Sequence, residues 1–160
     1  MLADLRRTHP TATLSMAGQD RGLREPLIAL AQERGLAEAV RFPGFLDAAA
    51  KAHEFANHDI YLNTNRVDNM PVSVLEAGAF GLPVVATTVG GLPYLLRDGE
   101  TGLLVPAEDA AAMADAIRRL IDRPELAAAL SANGRRLAES CGWATVRDQW
   151  AVLFDEVYHA

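Results

Sequence analysis

Asp68-Asn69-Met70-Pro71-Val72-Ser73-Val74-Leu75-Glu76-Ala77-Gly78-Ala79-Phe80-Gly81-Leu82-Pro83-Val84-Val85-Ala86-Thr87 reads as a loop, a short helix, a glycine stop and a buried strand. Pro71 stands where a first helical turn begins, a position that needs no N–H donor and favours a fixed φ. Gly81 supplies a left-handed exit, and Pro83 blocks continuation. Val72, Leu75 and Ala79 recur at helical spacing, so that face is expected to turn inward. Glu76 falls on or beside the same face, where a carboxylate is costly unless a polar group meets it.

Outward from this stretch, strand and helix signals alternate. Towards the N-terminus the expected strands are Thr11 to Ala17, Val40 to Phe42 and Asp59 to Asn63, with helices over Leu23–Arg34 and Ala48–Ala56 between them. Asp47 is a plausible cap for the second of these helices. Leu2 and Leu5 look like the last turns of a helix, as if the chain opened inside a larger fold. Towards the C-terminus come a Gly90-Gly91 turn, a short helical piece at Pro93–Leu96 and a strand at Gly102–Pro106. A helix over Ala110–Ile121, capped by Asp109, follows, then one from Pro124 and one over Trp143–Tyr158. Trp143 and Trp150, seven apart, are expected to pack. Short, continuously apolar strands separated by helices predict a parallel sheet covered on both faces. Ligands of such sheets bind beyond the carboxyl ends of the strands, which puts Asp68 and the Pro71 helix on the binding rim.

Bulk properties narrow the class. A 160-residue chain, 50% hydrophobic and 22% charged, fits one globular domain. A net charge of −6 argues against a general nucleic-acid binder. Cys141 is the sole cysteine and fits a reducing, cytoplasmic setting. No apolar run approaches the ~20 residues of a membrane span. The Gly-x-Gly-x-x-Gly, P-loop and Gly-x-Ser-x-Gly patterns are absent, and His9, His53, His58 and His159 show no metal-ligand spacing.

Asp68 and Glu76 have seven residues between them, and a helix N-terminus lies in that interval. Free N–H groups there suit a phosphate, and a carboxylate on each side can accept hydrogen bonds from sugar hydroxyls. Together they fit a nucleotide-sugar. The competing reading is that Asp68 or Asn69 only caps the helix and Glu76 is a solvated helix residue. Gly90-Gly91 is either a plain turn or a close approach of backbone amides to a ligand. Arg66 is the one cation of the loop and reads most simply as exposed.

The run from Asp68 to Gly91, followed by Leu95-Leu96-Arg97-Asp98-Gly99-Glu100-Thr101-Gly102-Leu103-Leu104-Val105-Pro106, resembles the C-terminal domain of family 4 retaining glycosyltransferases. Leu14–Gly18, Val40–Gly44 and Asp109–Leu120 extend the likeness over nearly the whole chain. The resemblance implies an α/β fold: a Rossmann-like parallel sheet with helices on both faces, one half of a GT-B architecture. It also implies a fragment. Residues 1–160 would be the nucleotide-sugar-binding domain, lacking its first strand, with the acceptor-binding N-terminal domain missing and supplied in cis or in trans.

By the same resemblance, Glu76 binds the ribose hydroxyls of the donor, and Asp68 contacts hydroxyls of the transferred sugar. Asn69, Met70 and Val72 approach the sugar and diphosphate, and Phe42 and Gly44 lie near the base. Asp68 stands where the family usually has Glu, and Pro71 where it has Gly, which reads as altered sugar geometry. The implied reaction is transfer from a nucleotide-diphospho-sugar, such as a UDP-sugar, to an acceptor hydroxyl of a glycan, lipid or small molecule, as in polysaccharide biosynthesis. The anomeric configuration is retained and no metal or other cofactor is obligatory. Nucleic acid is not an expected partner. Peripheral membrane association of the full enzyme and homodimerisation are compatible with the resemblance, and an apolar patch is expected where a partner domain is missing. The alternative is a non-catalytic nucleotide-binding or partner-docking module. An epimerase or phosphorylase of the same architecture would need catalytic groups not evident in this chain.

Overall fold

A computed structural model describes residues 1–159. Its elements alternate as expected. In chain order they are α1 (Leu2–Leu5), β1 (Leu14–Ala17), α2 (Arg24–Glu33), a 3-10 turn (Ala37–Ala39), β2 (Val40–Gly44), α3 (Ala48–Ala56) and β3 (Tyr61–Asn63). Then follow α4 (Val72–Ala79), β4 (Val84–Thr87), α5 (Leu92–Leu95), β5 (Leu103–Val105), α6 (Ala110–Asp122), α7 (Pro124–Ser140) and α8 (Trp143–Tyr158).

Every strand pairing is parallel, as a βαβ chain requires. The sheet is nevertheless in two pieces. β1 lies beside β2, with Leu14 opposite Val40 and Ser15 opposite Arg41. β3, β4 and β5 form a separate sheet in that order, with Leu62 opposite Val85 and Val85 opposite Leu103. No described strand bridges β1 and β3, so each is paired along one edge only.

β4 is the centre of the fold. All four of its residues are buried, and its side chains alternate between two apolar layers as the pleat dictates. Val85 points into the layer formed by Leu103, Val105, Met113, Ile117, Leu120 and Leu130, which brings in α6 and α7. Val84 and Ala86 point the other way, towards Val74, Ala77, Leu82, Leu92 and Leu96, which brings in α4 and α5. Helices therefore cover both faces of this sheet, which explains its uninterrupted apolar sequence. Asp109 caps α6 by accepting from the amides of Ala111 and Ala112, and Asp47 caps α3 by accepting from Ala50.

Two expectations fail in detail. The inward face of α4 is Val74, Ala77 and Gly78, whereas Val72 and Ala79 are exposed. The cause is the crossing with α7: a Cβ at Gly78 would stand 2.8 Å from the carbonyl oxygen of Gly134, so the two backbones meet at this pair of glycines. Second, Trp143 and Trp150 do not pack into the core. They are 74% and 49% exposed, and no residue of α8 is buried. Among the described residues, nothing buries the apolar face of that helix.

Candidate functional site

The site is built at the carboxyl ends of β3 and β4. Asn63 ends β3 and Thr87 ends β4, and both are almost completely buried polar residues. Their side chains are committed to the loop over residues 64–70. The Asn63 amide oxygen accepts from the backbone N–H of Asn65 at 3.2 Å, and the Thr87 hydroxyl donates to the Asn65 carbonyl at 2.6 Å. Asn65 in turn donates through its side-chain amide to the Asp68 carboxylate.

The Gly90-Gly91 turn braces the same loop from the β4 side. A Cβ on Gly90 would fall 1.5 Å from the Asp68 carbonyl oxygen, and one on Gly91 would fall 1.8 Å from that of Asn69. Only glycine leaves room for this approach, and Gly90 has φ +53. Neither sequence-level reading of the pair had this form: its close neighbour is the chain's own backbone.

α4 follows directly. Pro71 is its N-cap, with no side-chain cap, so neither Asp68 nor Asn69 serves as one. Among the described residues, the amides of Val72 and Ser73 donate to no other group. The Tyr61 hydroxyl donates to Ser73 at 2.8 Å and ties the first turn of α4 to β3. Burial chiefly raises the Tyr61 pKa; the hydrogen bond with Ser73 opposes this, the Glu76 and Asp68 carboxylates add to it, and the Lys51 ammonium opposes it. All three charged groups therefore act on one partly buried hydroxyl. The helix ends in a Schellman motif, with Leu82 N–H bonded to the Ala77 carbonyl, Gly81 N–H bonded to the Gly78 carbonyl, and Gly81 at φ +79.

Glu76 is half-buried and meets Lys51 of α3, whose Nζ lies 2.9 Å from both carboxylate oxygens. That ion pair joins α3, which follows β2, to α4. Phe42 and Gly44 lie in β2 itself, and Gly44 accepts from the Gly18 amide at 2.9 Å. Among the described residues, no hydrogen bond connects Phe42 or Gly44 to Asp68, Asn69, Met70, Val72 or Glu76. Met70 and Val72 are exposed on the rim. Arg66 pairs with Glu108 at 2.6 Å, beside an open cavity of ≈ 580 Å³ that Val67 and Ala107 also line. This cavity includes neither Asp68 nor Glu76.

Lys51 is the residue that sequence reading missed. It sits in a run of alanines with nothing in its spacing to mark it, and its partner is 25 positions away. The described residues contain no cluster of His, Cys, Asp and Glu that could hold a metal ion, and no helix long and apolar enough to cross a membrane.

The family model described as glycosyl transferases group 1 matches residues 1–137. The chain belongs to that family. It is 35% identical over 140 residues to the D-inositol 3-phosphate glycosyltransferase of Streptomyces scabiei, a match covering 86% of this chain and 31% of that protein. Among solved structures, the sucrose-phosphate synthase of Thermosynechococcus elongatus superposes with a TM-score of 0.84 at 30% identity, over 99% of this chain and 41% of that one. HepE of Anabaena, solved in complex with UDP, gives the same TM-score at 24% identity, over 97% of this chain and 44% of its own. This group 1 chain thus corresponds to less than half the length of each of these relatives, and it has the α/β fold of one half of a GT-B architecture.

Proposed function

We propose that this chain supplies the donor-binding half of a retaining glycosyltransferase, which moves a sugar from a nucleotide-diphospho-sugar to an acceptor hydroxyl. The observation that carries the reading is α4. Its N-terminus presents the unpaired amides of Val72 and Ser73, with Asp68 just before it and Glu76 one turn inside, all on the rim where parallel sheets bind ligands. Glu76 takes the ribose hydroxyls and Asp68 those of the transferred sugar. The amides near Asn69, Met70 and Val72 face the diphosphate, and Phe42 and Gly44 lie towards the base.

Chemically, this arrangement is suited to electrostatic stabilisation of the departing diphosphate. Oriented amides and the positive end of α4 meet charge as it develops on the leaving group. No metal is needed in this scheme. The acceptor side of the cleft comes from a further domain, in the same chain or another, and the enzyme works in the cytoplasm on a glycan, lipid or small-molecule acceptor. One feature supports a non-catalytic docking role as the second reading: α8 leaves Trp143, Trp150, Phe154 and Val157 uncovered.

Isothermal titration of the chain with UDP and with GDP tests the donor assignment. Hydrogen bonds to a charged group contribute about 1.5–3 kcal/mol, so Glu76→Ala is expected to weaken the preferred nucleotide by about ten- to hundredfold. Unchanged binding in that variant, or no binding of either nucleotide by the unmodified chain, refutes the role given to Glu76.

A further inference from the structure

Lys51 is the chain's only lysine, and its ammonium is the only group that hydrogen-bonds the Glu76 carboxylate among the described residues. We propose that Lys51 is a positioning residue of the donor site, which orients the Glu76 carboxylate so that its open side accepts a ribose hydroxyl. The proposal rests on the reading of Glu76 as the ribose contact.

The stoichiometry of the carboxylate supports it. An ionised carboxylate offers about four lone-pair sites, two on each oxygen. Lys51 Nζ stands at 2.9 Å from both oxygens and so occupies one site on each. One site per oxygen remains, on its outer side, free to accept a ribose hydroxyl. The side chains of Lys51 and Glu76 are 38% and 35% exposed, so the remaining sites are open to a ligand.

Geometry gives Lys51 the orienting role. The Glu76 backbone is fixed by α4, but its side chain is long and has no second polar partner to select a rotamer. α3 is anchored at its start by the Asp47 cap on Ala50, one residue before Lys51, which fixes the backbone from which the lysine reaches Glu76. Lys51 also offsets one of the two negative charges, Asp68 and Glu76, that an anionic diphosphate must approach. Ion pairs this exposed contribute little to stability, so loss of Lys51 is expected to show in binding rather than in folding.

The test compares UDP with 2′-deoxy-UDP by calorimetry on the full chain carrying Lys51→Met, Lys51→Arg or Glu76→Ala. The unmodified chain is expected to prefer UDP. In Lys51→Met, UDP affinity should fall by about three- to tenfold, with the preference for the ribonucleotide largely lost. Lys51→Arg, which keeps the charge and can bond both oxygens, should restore most of that preference. The urea midpoint should stay the same in all of them. If Lys51→Met keeps the affinity and preference that Glu76→Ala abolishes, the role of Lys51 is overturned while that of Glu76 stands. Equal weakening of both nucleotides by Lys51→Met also overturns it, since Lys51 would then act on the diphosphate alone. If Glu76→Ala changes nothing, or the unmodified chain binds neither nucleotide, the ribose reading falls and the proposal falls with it.

Discussion

Replacing Gly90 with alanine places a methyl group against the backbone of the donor loop. The added Cβ would lie 1.5 Å from the Asp68 carbonyl oxygen and 2.7 Å from its carbon. Ordinary contact distances are near 3.5 Å, so the two segments must separate by about 2 Å. Both contacting atoms are main-chain, and the loop is already held through Asn65 by Asn63 and Thr87. No flexible side chain can give way. Forcing alanine to the left-handed φ of +53 costs roughly 1–2 kcal/mol, and overpacking adds about 1–3 kcal/mol. Gly99→Ala is the matched control. It has φ +73 with nothing within 4 Å of the added Cβ, so it carries only the conformational cost. Equilibrium urea unfolding followed by circular dichroism should therefore find Gly90→Ala about 2 kcal/mol less stable than Gly99→Ala. If the loop yields instead, part of that difference will appear as lost nucleotide affinity. Equal stability of the two variants, with nucleotide binding unchanged in Gly90→Ala, would refute the account of the Gly90-Gly91 turn as a brace.

The α4–α7 crossing should respond asymmetrically. Gly78→Ala puts a Cβ 2.8 Å from the Gly134 carbonyl and is expected to cost about 1–3 kcal/mol, whereas Gly134→Ala meets nothing closer than 3.6 Å and should be neutral or gain about 0.5–1 kcal/mol; urea midpoints of both variants decide it. Acid stability should depend on Glu54, whose carboxyl is held below the usual glutamate range first by the Arg41 guanidinium and then by the Ser15 hydroxyl. The folded state binds that proton less readily than the unfolded chain, so the stabilisation is complete above about pH 4.3 and disappears as the pH falls through the lower folded value. Glu54→Gln should flatten the acid limb of stability against pH, and an unchanged limb would remove Glu54 from the explanation.

Several features were legible in neighbouring residues, although the caps considered at Asp68 and Asn69 were not among them. β4, α8 and the caps Asp47 and Asp109 follow from neighbouring residues: apolar runs, a carboxylate before a helix, a glycine or proline after it. The stop at Gly81 is of the same kind, since its left-handed φ and the Ala77–Leu82 bond involve a few consecutive positions. The failures are non-local. α4 carries two apolar stripes, one through Val72, Leu75 and Ala79 and another through Val74, Ala77 and Gly78, and hydrophobicity alone does not choose between them. The choice is made by Gly134, in another helix, where a small residue on each side lets the backbones touch. Gly90-Gly91 is legible as a turn, but its tightness is set by a loop that precedes it by some twenty positions. The tryptophans of α8 show the same limit from the other side. An apolar helix face states that it needs cover, not that its own chain provides it.

The rotation of α4 also resolves what first made Glu76 conspicuous. Had Val72, Leu75 and Ala79 formed the inward face, Glu76 would have been drawn towards the core, where an ionised carboxylate requires a buried partner. With Val74, Ala77 and Gly78 turned in, Glu76 is carried to the flank of the helix, half-exposed, and reaches across to α3. There it pairs with Lys51, and one face of the carboxylate stays open to solvent. A glycine contact between two helices on the core side thus places a carboxylate on the binding rim. The donor-site reading of Glu76 depends on Gly78 as much as on the charge of Glu76 itself.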